Sequence, residues 1–100
     1  MNIPDALKGK VHIGQLVITQ GVEERVHTKM IAISLCRHVD GDWGDIDSED
    51  WKMNDDNYKA GEGRLVSVYN YNDEEFKKFY IITEATEIGV VTTILLPSEY

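Results

Sequence analysis

The feature that most constrains this chain is its last third, where three strand-like runs follow one another with connections too short for anything but a meander. Residues 64–71 alternate, with Val66 and Val68 on one face and Leu65, Ser67, Tyr69 and Tyr71 on the other. Residues 76–84 and 90–96 are the next two runs; Asn72-Asp73 and residues 85–89 supply the turns, and Pro97 ends the last strand. Consecutive strands joined this closely pair antiparallel. A fourth run at 11–19, rich in β-branched residues and stopped by Gly21, is expected to join the same sheet.

Two helices are expected between the first strand and the meander. Thr28 is suited to cap a helix reaching about His38, with Ile31, Ala32, Leu35, Cys36 and Val39 as its apolar side and Ser34, Arg37 and His38 opposite. A short helical turn over 22–26 precedes it. A second helix begins at Asp47 or Ser48, where Glu49 and Asp50 favour the positive end of the dipole. Trp51, Asn54 and Tyr58 share one of its faces, and Gly61 and Gly63 stop it, Gly61 as the residue just past the end. The predicted fold is therefore α+β: an antiparallel sheet of three to four strands, with two main helices packed on one face. A chain of 100 residues is expected to be one domain, with residues 1–10 a loosely held lead-in.

The net charge of −8 is unevenly placed. Residues 40–56 hold eight acids against Lys52 alone, whereas residues 1–39 are slightly basic, with five Lys or Arg against three acids. A field of this sign repels phosphate backbones, so direct nucleic-acid binding is not expected; a basic protein partner, a cation or simple solubility suits it better. No apolar run approaches the ~20 residues of a membrane span, and the start of the chain lacks the apolar stretch of a signal peptide. The single cysteine, Cys36, rules out an internal disulfide framework and fits a reducing compartment, so a cytoplasmic location is expected.

The acidic segment does not fit a calcium loop. In a register starting at Asp40, Gly44, Asp45 and Trp51 fall where an oxygen ligand, a glycine and a glutamate are required. An irregular cation site among Asp40, Asp42, Asp45 and Asp47 is the alternative. Zinc is disfavoured, because neither a C-x-x-C nor an H-x-x-x-H spacing occurs; no metal site and no cofactor is assigned. Cys36 reads as a core residue and His38 as a helix-end residue favoured by the dipole. No nucleophile elbow surrounds Ser67, and Gly61-Glu62-Gly63 lacks the lysine of a phosphate loop. Trp51 and Tyr58 are expected to pack a helix on the sheet, whereas Trp43, between acids and glycines, suits core and recognition surface equally. Arg64 and Glu84 are candidates for an ion pair with each other or with the acidic loop.

Taken in order, Arg37-His38, Gly41-Asp42-Trp43-Gly44-Asp45, Glu49-Asp50, Asn54, Gly63-Arg64-Leu65, Ser67, Tyr69, Ile81-Ile82-Thr83-Glu84-Ala85, Thr92-Thr93 and Leu95-Leu96-Pro97-Ser98-Glu99-Tyr100 form a recognisable series. Over residues 36–100 it resembles a family of small bacterial proteins of plasmids and other mobile elements, often labelled "plasmid-related protein" or "type I restriction endonuclease subunit M". The restriction label does not follow from these residues, since a methyltransferase needs a cofactor-binding glycine turn and an Asn/Asp-Pro-Pro-aromatic motif, and neither occurs. At Asn70–Lys78 the chain departs from the family pattern, which puts the local hairpin register in question. The resemblance implies a fixed polar set, His38, Asp42, Trp43, Asp45, Asn54, Arg64, Ser67, Tyr69, Thr83 and Glu84, that either forms a ligand pocket at one end of the sheet or braces the acidic loop.

Two functions follow as expectations. The first is a non-enzymatic interaction protein of a mobile element, presenting residues 40–56 to a basic protein partner. The second is a small enzyme or a ligand- or cation-binding domain built on His38, Asp42, Asp45 and Arg64.

Overall fold

The computed structural model describes residues 11–100, so the lead-in expected at 1–10 lies outside the described residues. The chain runs β1 (Gln15–Ile18), α1 (Gln20–Arg25), α2 (Thr28–Val39), α3 (Ser48–Ala60), β2 (Leu65–Asn70), β3 (Lys78–Thr86) and β4 (Gly89–Leu95), then a short 3-10 turn at Pro97–Glu99. The fold is α+β, as the pattern predicts: a four-stranded sheet in the order β1-β4-β3-β2 with helices packed on it. The three C-terminal strands pair antiparallel, Leu65 opposite Thr83 and Ile81 opposite Ile94. One pairing differs from a wholly antiparallel sheet, because β1 lies parallel to β4 with Leu16 beside Thr92. The three helices and the β2–β3 hairpin carry the chain back to the same end of the sheet before β4, a long crossover of the kind parallel neighbours need.

Local signals explain where the elements start and stop. The Thr19 hydroxyl accepts the Val22 amide at 3.4 Å and so caps α1, the short helical turn expected at 22–26. α2 begins with His27 as its cap, not Thr28, because the His27 Nδ1 accepts the Lys29 amide at 3.1 Å. Asp47 caps α3 through the Asp50 amide at 2.8 Å, and Gly61 closes it in the left-handed conformation with φ of 68°. At the β3–β4 hairpin only Glu87 and Ile88 lie between the paired residues Thr86 and Gly89, so the turn is tighter than the sequence indicates. The β2–β3 connection is longer, closed by the Tyr71 amide on the Lys77 carbonyl at 2.8 Å and held by Arg25 ion pairs to Asp73 and Glu75.

One face of the sheet carries the core. Tyr69, Phe79, Ile81 and Ile94 pack there with Val22, Val26, Phe76 and Leu96, and Met30, Ile31 and Leu35 of α2 close over them. A second cluster of Val11, Trp43 and Leu65, with Ile46 and Trp51 against it, seats α3 beside β2. The other face carries Ile82 and Leu95, both buried, with Val66, Val68, Tyr80, Val91 and Thr93 half-buried; at one end Tyr100 meets Tyr80 edge-on at 5.9 Å. Among the described residues no helix is long and apolar enough to cross a membrane.

Candidate functional site

The polar set gathers along β2 but not as a pocket. His38 is completely buried on the inner side of α2, which corrects its expected position on the solvent side of the helix. The inward stripe of α2 is rotated from the apolar one: Ser34 and His38 face the sheet, whereas Ala32 and Ile33 face solvent. The sheet makes this possible by presenting hydroxyls in place of methyl groups. His38 Nδ1 lies 2.6 Å from Ser67 Oγ, and Nε2 lies 2.8 Å from Thr83 Oγ1. Thr83 Oγ1 is 2.7 Å from Thr92 Oγ1, and Thr92 Oγ1 donates to the Ile13 carbonyl at 2.8 Å.

The proton positions in this chain follow by elimination. A carbonyl only accepts, so the single hydroxyl proton of Thr92 goes to Ile13. Thr83 must then donate to Thr92 and accept from His38 Nε2–H. That leaves Nδ1 as the acceptor of the Ser67 hydroxyl. The row is therefore directed from Ser67 through a neutral His38 to Thr83, Thr92 and Ile13. Burial lowers the His38 pKa to about 4, which agrees with an imidazole that has no room for a second proton. Trp43 seals the ring from outside, edge-on at 5.5 Å. A serine hydroxyl on a neutral imidazole is the pairing a nucleophile requires, but Ser67 and His38 are both completely buried and no substrate can reach them. Ser34 Oγ, one turn before His38, is buried with no hydrogen-bond partner.

The Asp42-Trp43-Gly44-Asp45 loop is laid along the outer edge of β2. The Val68 amide donates to the Trp43 carbonyl at 3.0 Å, and the Asp45 amide donates to the Val68 carbonyl at 2.7 Å. Gly44 makes this approach possible: its φ is +80°, and a Cβ there would lie 2.0 Å from the Val68 carbonyl oxygen. Arg37 holds Asp42 through two hydrogen bonds, at 2.8 and 3.2 Å, and its guanidinium lies 4.8 Å over the Tyr69 ring. The guanidinium lowers the Asp42 carboxyl below its ordinary range. The Tyr69 hydroxyl, raised by burial, donates to the Asp42 carbonyl at 2.6 Å. Trp43, 1% exposed, donates its indole N–H to Asp55 at 3.0 Å.

Asn54 continues the edge. Its side-chain amide donates to the Val66 carbonyl at 2.8 Å and accepts the Val66 amide at 3.2 Å, as a neighbouring strand would. One turn later Asn57 donates to the Arg64 carbonyl at 3.1 Å. Arg64 and Glu84 form no ion pair; the Arg64 guanidinium sits 5.7 Å over the Tyr100 ring, and Glu84 is exposed. Asp45 also points to solvent. Among the described residues no three histidine, cysteine, aspartate or glutamate side chains converge to hold a metal, so Asp40, Asp42, Asp45 and Asp47 are not gathered into a cation site.

The solvent side of the same segment is different. Asp45, Asp47, Glu49, Asp50 and Asp56 are exposed there, Asp56 in an i,i+4 pair with Lys52. Beside them Asp40, Trp43, Trp51, Asp55, Tyr58 and Lys59 line an open cleft of about 400 Å³. Sequence reading did not single out this cleft. Its only signal was the spacing of Trp51, Asp55, Tyr58 and Lys59 along one side of α3. Compared with protein-family models, curated proteins and solved structures, the chain shows no match.

Proposed function

We propose that this chain is a non-enzymatic, cytoplasmic interaction protein of the mobile-element family it resembles, and that the solvent side of residues 40–56 meets a basic protein partner. The reading rests on how the segment divides. Its inward members, Trp43, Gly44 and Asn54, are committed to β2, while Asp40 and Asp55 line a cleft walled by aromatic rings and the exposed carboxylates stand on the same segment. A lysine or arginine side chain suits such a cleft, since a cation is drawn both to carboxylates and to ring faces. The buried state of His38 and Ser67 favours this reading over an enzyme that would use them.

The test is capture of a partner by the immobilised chain at about 50 and about 300 mM salt, a change that shortens the reach of surface charges about 2.5-fold. A basic protein retained at low salt and released at high salt is expected. The combined variant Asp45→Asn, Glu49→Gln, Asp50→Asn and Asp56→Asn should lose it while keeping the fold. Capture indifferent to salt and to these substitutions would contradict the proposal, as would no capture at either salt.

A further inference from the structure

The far edge of the sheet carries a second binding surface, independent of the acidic one. β1 is the edge strand next to β4, and among the described residues no strand lies on its outer side. The Thr19 amide donates to the Ile94 carbonyl at 3.0 Å. By alternation Gln15 and Val17 also turn their backbone groups toward β4, and Leu16 and Ile18 turn theirs outward. The strand carries no charge and no proline, two devices that keep an edge from pairing; its one protection of this kind is its length of four residues. Leu16, Val17 and Ile18 are each 38–39% exposed.

We propose that this edge pairs with itself: two copies of the chain align their β1 strands antiparallel about a two-fold axis through Val17, joining two four-stranded sheets into one of eight. In that register Leu16 faces Ile18 of the second copy, and the two pairs exchange four backbone hydrogen bonds. Val17 meets its own copy on the face opposite the helices, and Leu16 and Ile18 extend the helix-covered face. A second copy fits better than an arbitrary strand because of where the charge lies. The acidic segment is bound to β2, the opposite edge. With strands about 4.8 Å apart, the two β2 edges of the paired sheet stand about 34 Å from each other, well beyond the ~8 Å reach of charge at physiological salt. An acidic chain can therefore associate here without bringing its acidic segments together. Four residues a side is far below the ~800 Å² per partner of a standing dimer, so association is weak and appears with concentration.

Sedimentation velocity over a concentration series tests this, with Val17→Lys and Val17→Thr as variants. Val17→Lys sets two ammonium groups together on the axis, at a site open enough to leave the monomer folded. The wild type and Val17→Thr should pass from monomer to dimer as concentration rises. Val17→Lys should need more than tenfold higher concentration, with circular dichroism and melting unchanged. Over the same series the Leu16 and Ile18 amides should exchange more slowly in the wild type, while the Val17 amide does not change. A wild type that stays monomeric with fast-exchanging Leu16 and Ile18 amides overturns the proposal and leaves the edge to the strand of another protein. A dimer indifferent to Val17→Lys overturns it as well.

Discussion

Along β2, the five outward backbone groups from the Arg64 carbonyl to the Val68 carbonyl all have partners from outside the sheet, supplied by Asn57, Asn54, Trp43 and Asp45. Along β1, the outward groups of Leu16 and Ile18 have none among the described residues. An exposed edge is a template for unwanted pairing, and a helix or loop laid over it is one remedy. In this chain the remedy uses most of the residues that make residues 38–69 distinctive. A motif of acids, glycines, an asparagine and a tryptophan invites a search for chemistry. At β2 it is spent on finishing an edge, and the chemistry left over is on the outer surface of the cap.

The contrast is broken most severely at Gly44. Gly44→Ala places a methyl group into the Val68 carbonyl and forces a positive φ on alanine, so the loop must leave β2. A loss on the order of 3 kcal/mol or more is expected, read as a lower urea midpoint, because the Trp43 seal over His38 goes with the loop. A midpoint within experimental error of the wild type would mean that the loop is not fixed to the edge.

Next in size is the response to acid. The buried His38 takes up its proton near pH 4, whereas the same imidazole in the unfolded chain does so near its ordinary value of 6.5. Because the folded pKa is the lower one, this contribution is fully present above about pH 6.5. It is lost as pH falls toward 4, by about 3 kcal/mol in all. Asp42 and Glu99, whose pKa values are also lowered, add further losses at still lower pH. Nuclear magnetic resonance of the imidazole nitrogens should show a neutral Nε2–H tautomer from pH 7 to about 5. An ordinary titration near 6.5, or a proton on Nδ1, would refute the directed hydrogen-bond row.

The sequence carried the sheet further than the site. The alternation at 64–71, the caps at Asp47 and Gly61 and the β-branched runs are local signals, and they placed the strands and α3 to within a few residues. The direction of β1 is not local: nothing in Gln15–Ile18 distinguishes a parallel neighbour from an antiparallel one. The inner side of α2 is not a local property either. Ser34 and His38 are polar and so rank as outward, and only the hydroxyls of Ser67, Thr83 and Thr92 on the facing strands make a buried histidine acceptable. The motif residues were visible as a set. Their role as an edge cap was not, because it depends on Asn54 reaching the backbone of Val66, twelve residues away.

The smallest of these effects is also the most direct test of the cap. Asn54→Ala removes two hydrogen bonds and leaves the Val66 amide and carbonyl without them, at a cost of about 1–3 kcal/mol. The decisive measurement is hydrogen exchange at the Val66 amide in dilute protein, with the Leu16 amide of the uncapped edge as internal reference. The account predicts strong protection of Val66 and little of Leu16 in the wild type, with Val66 falling to the level of Leu16 in Asn54→Ala. Equal exchange at the two edges of the wild-type sheet, or protection of Val66 that survives the loss of Asn54, would contradict it.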